Sequence, residues 1–448
     1  MTDVDRAYAD DRAHVFHSWS AQATLQPVVV TGGDGAWFTD GDGNRYLDFA
    51  SQLVFLNMGH GHPRIVAAIQ EQAAKLCTVA PTFANDARGE AARLITELTP
   101  DGLDHVFFTN GGAEANEHAV RMARLTTGRH KVLATYRSYH GATAGSIALT
   151  GDPRRWASEP AMPGVVHFFG PYTYRSAFSA PDDATECERA LRHLDEVLTL
   201  EGPGTVAAIV LETVVGTNGI LVPPDGYLAG VRELCDRYGI LLICDEVMSG
   251  FGRCGEWFAF DRWGVTPDLV TFAKGVNSGY VPLGGVVVST RVYQTFAERA
   301  YPGGLTYSGH PLACAAAVAT IEAMREEGIV ERVREIGEKV VGPRLADLAE
   351  RHPSVGEVRG LGLFWAIELV RDRGTRQMLV PYNAAGPAAA PMAEIAAACK
   401  AGGVWPFTHF NRLHVVPPLV TSVDDLNRGI DVIDDALTIA DRLVTSGG

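Results

Sequence analysis

The sequence predicts an α/β architecture: a mostly parallel sheet covered by helices on both faces, with a smaller α+β domain beside it. Three observations carry that prediction. Short apolar runs without polar alternation, TVAAIVLET (205–213), ILLICDEV (240–247) and PDLVTF (267–272), read as strands buried on both faces. Segments of helical spacing alternate with such runs, notably EANEHAVRMARLTTG (114–128) and residues 225–238. From about residue 310 the pattern changes to a long helical stretch followed by strand-like pieces, the mark of a second unit.

Taken in order, VVVTGGDGAWFTDGDGNRYLDF (28–49) places two Gly/Asp turn clusters between short apolar runs and predicts a small antiparallel sheet. HPRIVAAIQEQAAKL (62–76) and ARGEAARLITELT (87–99) have helical spacing, and HVFFTN (105–110) reads as a strand. The helix 114–128 ends on a glycine, and KVLATY (131–136) and GGVVVST (284–290) are further strands. Residues 170–187, rich in Pro, Ser and Asp, read as a surface loop. Residues 311–341 are helical, 357–369 and 412–419 strand-like, and AAGPAAAP (384–391) is a connector. The expected division is an N-terminal segment 1–60 joining the small domain, a large α/β domain 61–305, and a C-terminal α+β domain 306–448.

Composition excludes several function classes. A formal charge of −15 disfavours nucleic acid and anionic membrane surfaces as partners. Seven cysteines, odd in number and without a CxxC pair, argue against a disulfide framework or zinc site and for a reducing compartment. The N-terminus has no apolar signal core, and no uncharged apolar run reaches about 18 residues. These features predict a cytoplasmic protein. His60 and His62 in GHGHP fall in a turn before a helix with no further ligand cluster, so structural roles are expected and no metal.

Chemistry concentrates at three places. TNGGAEAN (109–116) follows a strand and opens a helix, so its glycines and free N–H groups make a seat for a phosphate. It is neither a Walker loop nor GxGxxG. Asp245 ends one apolar strand and Lys274 follows another, and parallel sheets bind ligands beyond the carboxyl ends of their strands. Each has a plainer reading, a snorkelling lysine or an Asp–Lys ion pair at a sheet edge. Together with the glycine turn they describe a site for a compound with a phosphate, a basic ring nitrogen and an aldehyde. Pyridoxal 5'-phosphate (PLP) has all three.

SYHGAT (138–143), the stretch from LLICDEV through PDLVTFAKGVNSGYVPLGGV, and LTYSGHPLACAAA (305–317) together resemble a class III aminotransferase of PLP fold type I. The likeness runs from GDGNRYLDF to the Pro-Pro-Leu near the C-terminus. It implies a seven-stranded sheet and a homodimer with shared active sites. It also implies ping-pong transfer of an amino group from an ω-amino acid, taurine-like compound or amine to pyruvate or 2-oxoglutarate. Lys274 would form the Schiff base and shuttle the proton. Asp245 would face the pyridine nitrogen, with Tyr139 (before His140) over one ring face and Val247 against the other. Gly111, Gly112 and Ala113 would hold the phosphate, helped by Thr306 of the neighbouring subunit. Glu212 matches the glutamate of a Glu-Pro motif, although Thr213 follows it here.

Other departures bear on the substrate. Thr217 stands where ornithine and 4-aminobutyrate enzymes carry a gate glutamate, Met248 replaces the glutamine of DEVQ, and His414 replaces an arginine before the Pro-Pro. Arg412 is then the candidate for a substrate carboxylate. Trp19, Leu53, Val54 and Phe55 would supply an apolar wall, with Val54 where some amine-accepting relatives have tryptophan. The same fold also supports racemases, aminomutases, decarboxylases and phospho-lyases, and more remotely a non-catalytic ligand sensor.

Overall fold

A computed structural model describes residues 2–445. In chain order the strands are β1 (Val30–Asp34), β2 (Trp37–Asp40), β3 (Arg45–Asp48), β4 (His105–Thr109), β5 (Lys131–Thr135), β6 (Val165–Phe168), β7 (Val206–Glu212), β8 (Leu241–Asp245), β9 (Leu269–Phe272) and β10 (Gly284–Val288). The C-terminal part adds β11 (Val355–Leu361), β12 (Phe364–Asp372), β13 (Gln377–Met378), β14 (Val404–Trp405), β15 (Phe407–His409) and β16 (Arg412–Val415).

The seven-stranded sheet has the order β4-β10-β9-β8-β7-β5-β6. All its pairings are parallel except those of β10, which runs antiparallel to both β4 and β9. Two apolar cores explain the uninterrupted hydrophobic runs. On β8, Leu242 and Cys244 join one core while Leu241 and Ile243 join the other. Ile209 and Leu211 of β7 alternate in the same way with Ala208 and Val210. A strand with helices on both faces has no polar face to show.

A third core joins Leu47, Phe49 and Met58 to the helices Pro311–Glu326 and Val423–Asp441 and to β12 and β16. The sheet β1-β2-β3-β14 draws a strand from each end of the chain, with Val404 opposite Leu47 in parallel register. No helix among the described residues is long and apolar enough to cross a membrane.

Local departures have physical reasons. The stretch 357–369 is two strands rather than one, reversing at Gly362 (φ 56°), where a Cβ would lie 2.7 Å from the Cys254 carbonyl carbon. Residues 170–187 are a surface loop only in part: a helix begins at Asp183, and the loop is anchored by buried side chains. Tyr172 is 7 % exposed and Glu186 is fully buried, its carboxylate accepting the Tyr172 N–H at 2.8 Å. Asp182 at the end of that stretch caps the helix Asp183–Glu201 through the Thr185 N–H. The connector 384–391 runs into the helix Ala390–Ala401.

Candidate active site

Register places the working side chains. Glu212 ends β7 opposite Asp245 at the end of β8, and Asp245 stands opposite Thr271 of β9, two residues before Ala273 and Lys274. A cavity of about 450 Å³ opens over these strand ends. Lys274, Asp245, Glu212 and His140 line it, as do Tyr139, Val247 and the turn Gly111, Gly112 and Ala113. Lys274 itself takes a φ of 49°, a left-handed conformation disfavoured for a residue with a Cβ.

Gly111 is the N-cap of the helix Gly112–Thr127 and makes no side-chain cap. The first intrahelical bond runs from the Ala115 N–H to the Gly111 carbonyl at 3.1 Å. The N–H groups of Gly112, Ala113 and Glu114 therefore have no acceptor in the helix, and the helix dipole favours an anion there. Gly112 is sterically required. A Cβ on it would fall 2.9 Å from Cγ2 of Val247.

The Asp245 carboxylate is 3 % exposed and fully engaged on the protein side. Oδ1 accepts the Val247 N–H at 3.0 Å, and Oδ2 accepts the Asn116 amide at 2.8 Å. Nδ1 of His140 lies 2.7 Å from the same Oδ2, which puts the ring proton on Nδ1. Burial alone would lower the His140 pKa, but the hydrogen bond and charge of Asp245 outweigh it and raise it. Glu212 accepts the N–H groups of Tyr139 and Gly216, each at 2.8 Å, and so fixes the backbone beneath the Tyr139 ring. Burial pushes Glu212 up to about 7. Burial also lowers the Lys274 pKa, against the attraction of Asp245 and Glu212 and with help from the Arg154 charge. That leaves more of its amine free to act as nucleophile and base.

Arg154 was not anticipated. Its guanidinium lies over the Tyr139 ring, 3.6 Å from the centroid. Asp152, 1 % exposed, holds it through Nε at 2.9 Å and is itself bonded to Asn218 at 3.1 Å. The run DPRR offered only a charge cluster after a turn, which ordinarily means a solvated surface.

The expected substrate residues separate into groups. Trp19 and Phe55 line the cavity. Val54 does not, because it packs with Val214, Ile220, Phe364 and Val416 in a core of its own. Leu53 is 48 % exposed away from the cavity lining. Thr306 is exposed and off the cavity of its own chain. Arg412 is wholly buried, its Nε 3.4 Å from the Glu368 carboxylate, while Nη1 and Nη2 have no partner. Thr217 and Met248 touch each other, hydroxyl to sulfur, at 3.4 Å.

A family model described as aminotransferase class-III matches residues 19–437. The chain belongs to the class-III aminotransferases. The aminotransferase is 34 % identical over 460 residues to the taurine–pyruvate aminotransferase of Bilophila wadsworthia, covering 98 % of each chain. It is 37 % identical over 360 residues to the putrescine–pyruvate aminotransferase of Pseudomonas aeruginosa, covering 78 % of each. A solved taurine:2-oxoglutarate aminotransferase from Bifidobacterium kashiwanohense, in complex with PLP and glutamate, superposes with a TM-score of 0.95. That structure is 42 % identical and covers 99 % of this chain and 100 % of its own.

The cofactor is PLP, and the residues fit it. A helix N-terminus with three free N–H groups suits a phosphate, a buried carboxylate suits a protonated ring nitrogen, and a buried amine suits an aldehyde. All three border one cavity. When bound, PLP supplies an aldehyde that captures an amine and a ring that draws electrons from the substrate carbon. Asp245, oriented by Asn116 and His140, would keep the ring nitrogen's proton in place, and Lys274 would take up and return a proton at Nζ.

Proposed function

We propose that this aminotransferase moves an amino group from an ω-amino acid, a taurine-like compound or an amine to an α-keto acid, pyruvate or 2-oxoglutarate, by a ping-pong mechanism. The Arg154 guanidinium over Tyr139 carries this reading. Its positive charge acts on Lys274 and suits a substrate with an acid end. The neutral Thr217–Met248 contact leaves no acidic gate opposite it, which favours an anionic donor over a diamine. Among the relatives, the donors taurine and 5-aminovalerate point the same way while putrescine, a diamine, represents the plain-amine class, and the named acceptors are 2-oxoglutarate or pyruvate.

The working unit is a homodimer in this reading. Exposed Leu53, Phe83 and Tyr307 support it, as does a Thr306 that reaches no cofactor seat in its own chain. Seven free cysteines support a cytoplasmic location.

The test is the absorbance of the loaded protein with taurine, β-alanine, 4-aminobutyrate or 1-phenylethylamine, without keto acid. At least one donor bleaches the visible cofactor band, and pyruvate or 2-oxoglutarate restores it. A band that no donor discharges overturns the reading. Lys274→Ala loses the bleaching altogether, because the proton-moving amine is gone.

A further inference from the structure

Phe55 is the one member of the 52–57 segment that lines the cavity, and the turn that delivers it is strained. Ser51, Gln52 and Val54 have φ values of 42°, 59° and 59°. None is glycine, and a β-branched residue such as Val54 is rarely found there. Phe55 is seated against Gly279, where a Cβ would fall 2.3 Å from its ring. A turn of this kind persists only if its surroundings over-determine it.

Two buried charged side chains do so. Asp48, fully buried, accepts the Ala50 N–H at 3.1 Å, the Gln52 N–H at 2.9 Å and the Gln52 side-chain amide at 2.8 Å. Arg253, also fully buried, reaches both ends of the turn from the other side. Its Nη2 donates to the Ser51 hydroxyl at 3.2 Å and to the Asn57 side-chain oxygen at 2.9 Å. Its Nη1 donates to the carbonyls of Leu363 at 3.0 Å and Pro417 at 2.5 Å. The Ser51 hydroxyl passes the link on to the Val416 carbonyl at 2.6 Å, and Asn57 bonds the Phe251 carbonyl at 2.8 Å. One guanidinium thus ties the N-terminal segment to the loop after β8 and to the chain following β16. It touches neither the cavity nor any cofactor-binding side chain.

We propose that Arg253 is a positioning residue for donor selectivity: with Asp48 it clamps the turn 51–54 and thereby fixes Phe55 as one wall of the donor cavity. The selectivity part rests on the aminotransferase reading, and the clamp does not. A lysine at 253 keeps the charge but cannot fork across four acceptors. Ser51→Ala removes the two hydrogen bonds of that hydroxyl, to Arg253 and to the Val416 carbonyl, and leaves the other contacts of Arg253 and Asp48 in place.

Two readouts decide it. In Arg253→Lys, amide hydrogen exchange within 50–57 speeds up by about tenfold or more, with a smaller rise in Ser51→Ala, while β7 and β8 keep their protection. The ratio of kcat/KM for 1-phenylethylamine to that for β-alanine shifts by about fivefold, chiefly through KM, in the same order of variants. Leu345→Ala, a core truncation far from the cavity, lowers Tm without moving that ratio. Unchanged exchange in 50–57 overturns the clamp, whatever the enzyme turns over. Faster exchange with an unmoved ratio overturns the role of Phe55 as a selecting wall. Faster exchange in a protein that no amine discharges would support the clamp and count against the aminotransferase reading.

Discussion

Glu212, at the end of β7, and Glu368, in the middle of β12, are both buried glutamates, and their surroundings push them in opposite directions. Glu212 has two backbone N–H donors, no arginine in contact and Asp245 nearby, so burial raises it to about 7. Glu368 lies between Arg175, Arg359 and Arg412 and also accepts the Tyr172 hydroxyl. Burial would raise it too, but the arginines outweigh that and hold it far below the ordinary carboxylate range. Depth alone therefore does not set the charge of a buried acid; the count of opposing charges does. Glu368 is part of the scaffold, whereas Glu212 borders the cavity and shares its field with Asp245 and Lys274.

The sharpest way to break the comparison is Glu368→Gln. It leaves buried Arg412 and the largely enclosed Arg175 and Arg359 facing one another and should cost about 4 kcal/mol of stability, read from urea unfolding. Glu212→Gln removes a charge that burial already disfavours and should cost far less at pH 8. The next effect is in pH. Because the Glu212 pKa is raised on folding, its contribution to stability is greatest below the unfolded value of 4.5 and is lost as pH climbs toward about 7. The stability of Glu212→Gln relative to the cofactor-free wild type should thus rise by about 3 kcal/mol between pH 4.5 and pH 8. Glu368 has the opposite sign. Its contribution is present above 4.5 and fails only as pH falls through its depressed folded pKa, so Glu368→Gln should show no such slope from pH 5 to 8. The smallest effect concerns Arg154, which Asp152 holds through Nε and Nη2. Arg154→Met should raise KM for β-alanine and for the keto acid by about 2 kcal/mol in free-energy terms, with kcat changed much less. An equal rise for 1-phenylethylamine, which has no acid end, would move Arg154 from substrate binding to scaffold.

The parts legible in the sequence were those with a one-dimensional signature. Apolar runs marked the strands, and Asp245 and Lys274 were visible because two opposite charges at strand ends, each with an ordinary reading alone, join a glycine turn at a third strand. The glycine turn at 111–112 was visible because a strand-to-helix step without a side-chain cap is itself unusual. Arg154 and Glu368 were illegible for the opposite reason. One sits in a charged turn and the other is a lone acid within an apolar strand, and only the fold shows which charges face each of them. The stretch 170–187 was misread because its Pro and Ser content outvoted Tyr172, whose burial depends on β12, almost two hundred residues away. The helices Asp183–Glu201 and Val423–Asp441 went unassigned although both carry side-chain N-caps, Asp182 and Ser422. Val54 shows the limit of alignment by resemblance. Its position in the chain matched a wall residue, but the left-handed turn rotates it into the core.

The antiparallel strand β10 has a consequence for how the protein comes into being. It lies between β4, which leads to the phosphate turn, and β9, which leads to Lys274, and it is the last strand of that sheet to leave the ribosome. Until it inserts, β4 has no strand partner in the sheet, and the phosphate turn is tied to β8 and β9 through the helix that follows it, by the Asn116 bonds to Asp245 and Thr271. Cofactor capture is accordingly a report on completed assembly, and its binding energy stabilises only the finished sheet by mass action. A chain that stops before Gly284 carries Gly111, Tyr139, Asp245 and Lys274 and lacks the strand that joins β4, and with it the phosphate turn, to the rest of the sheet.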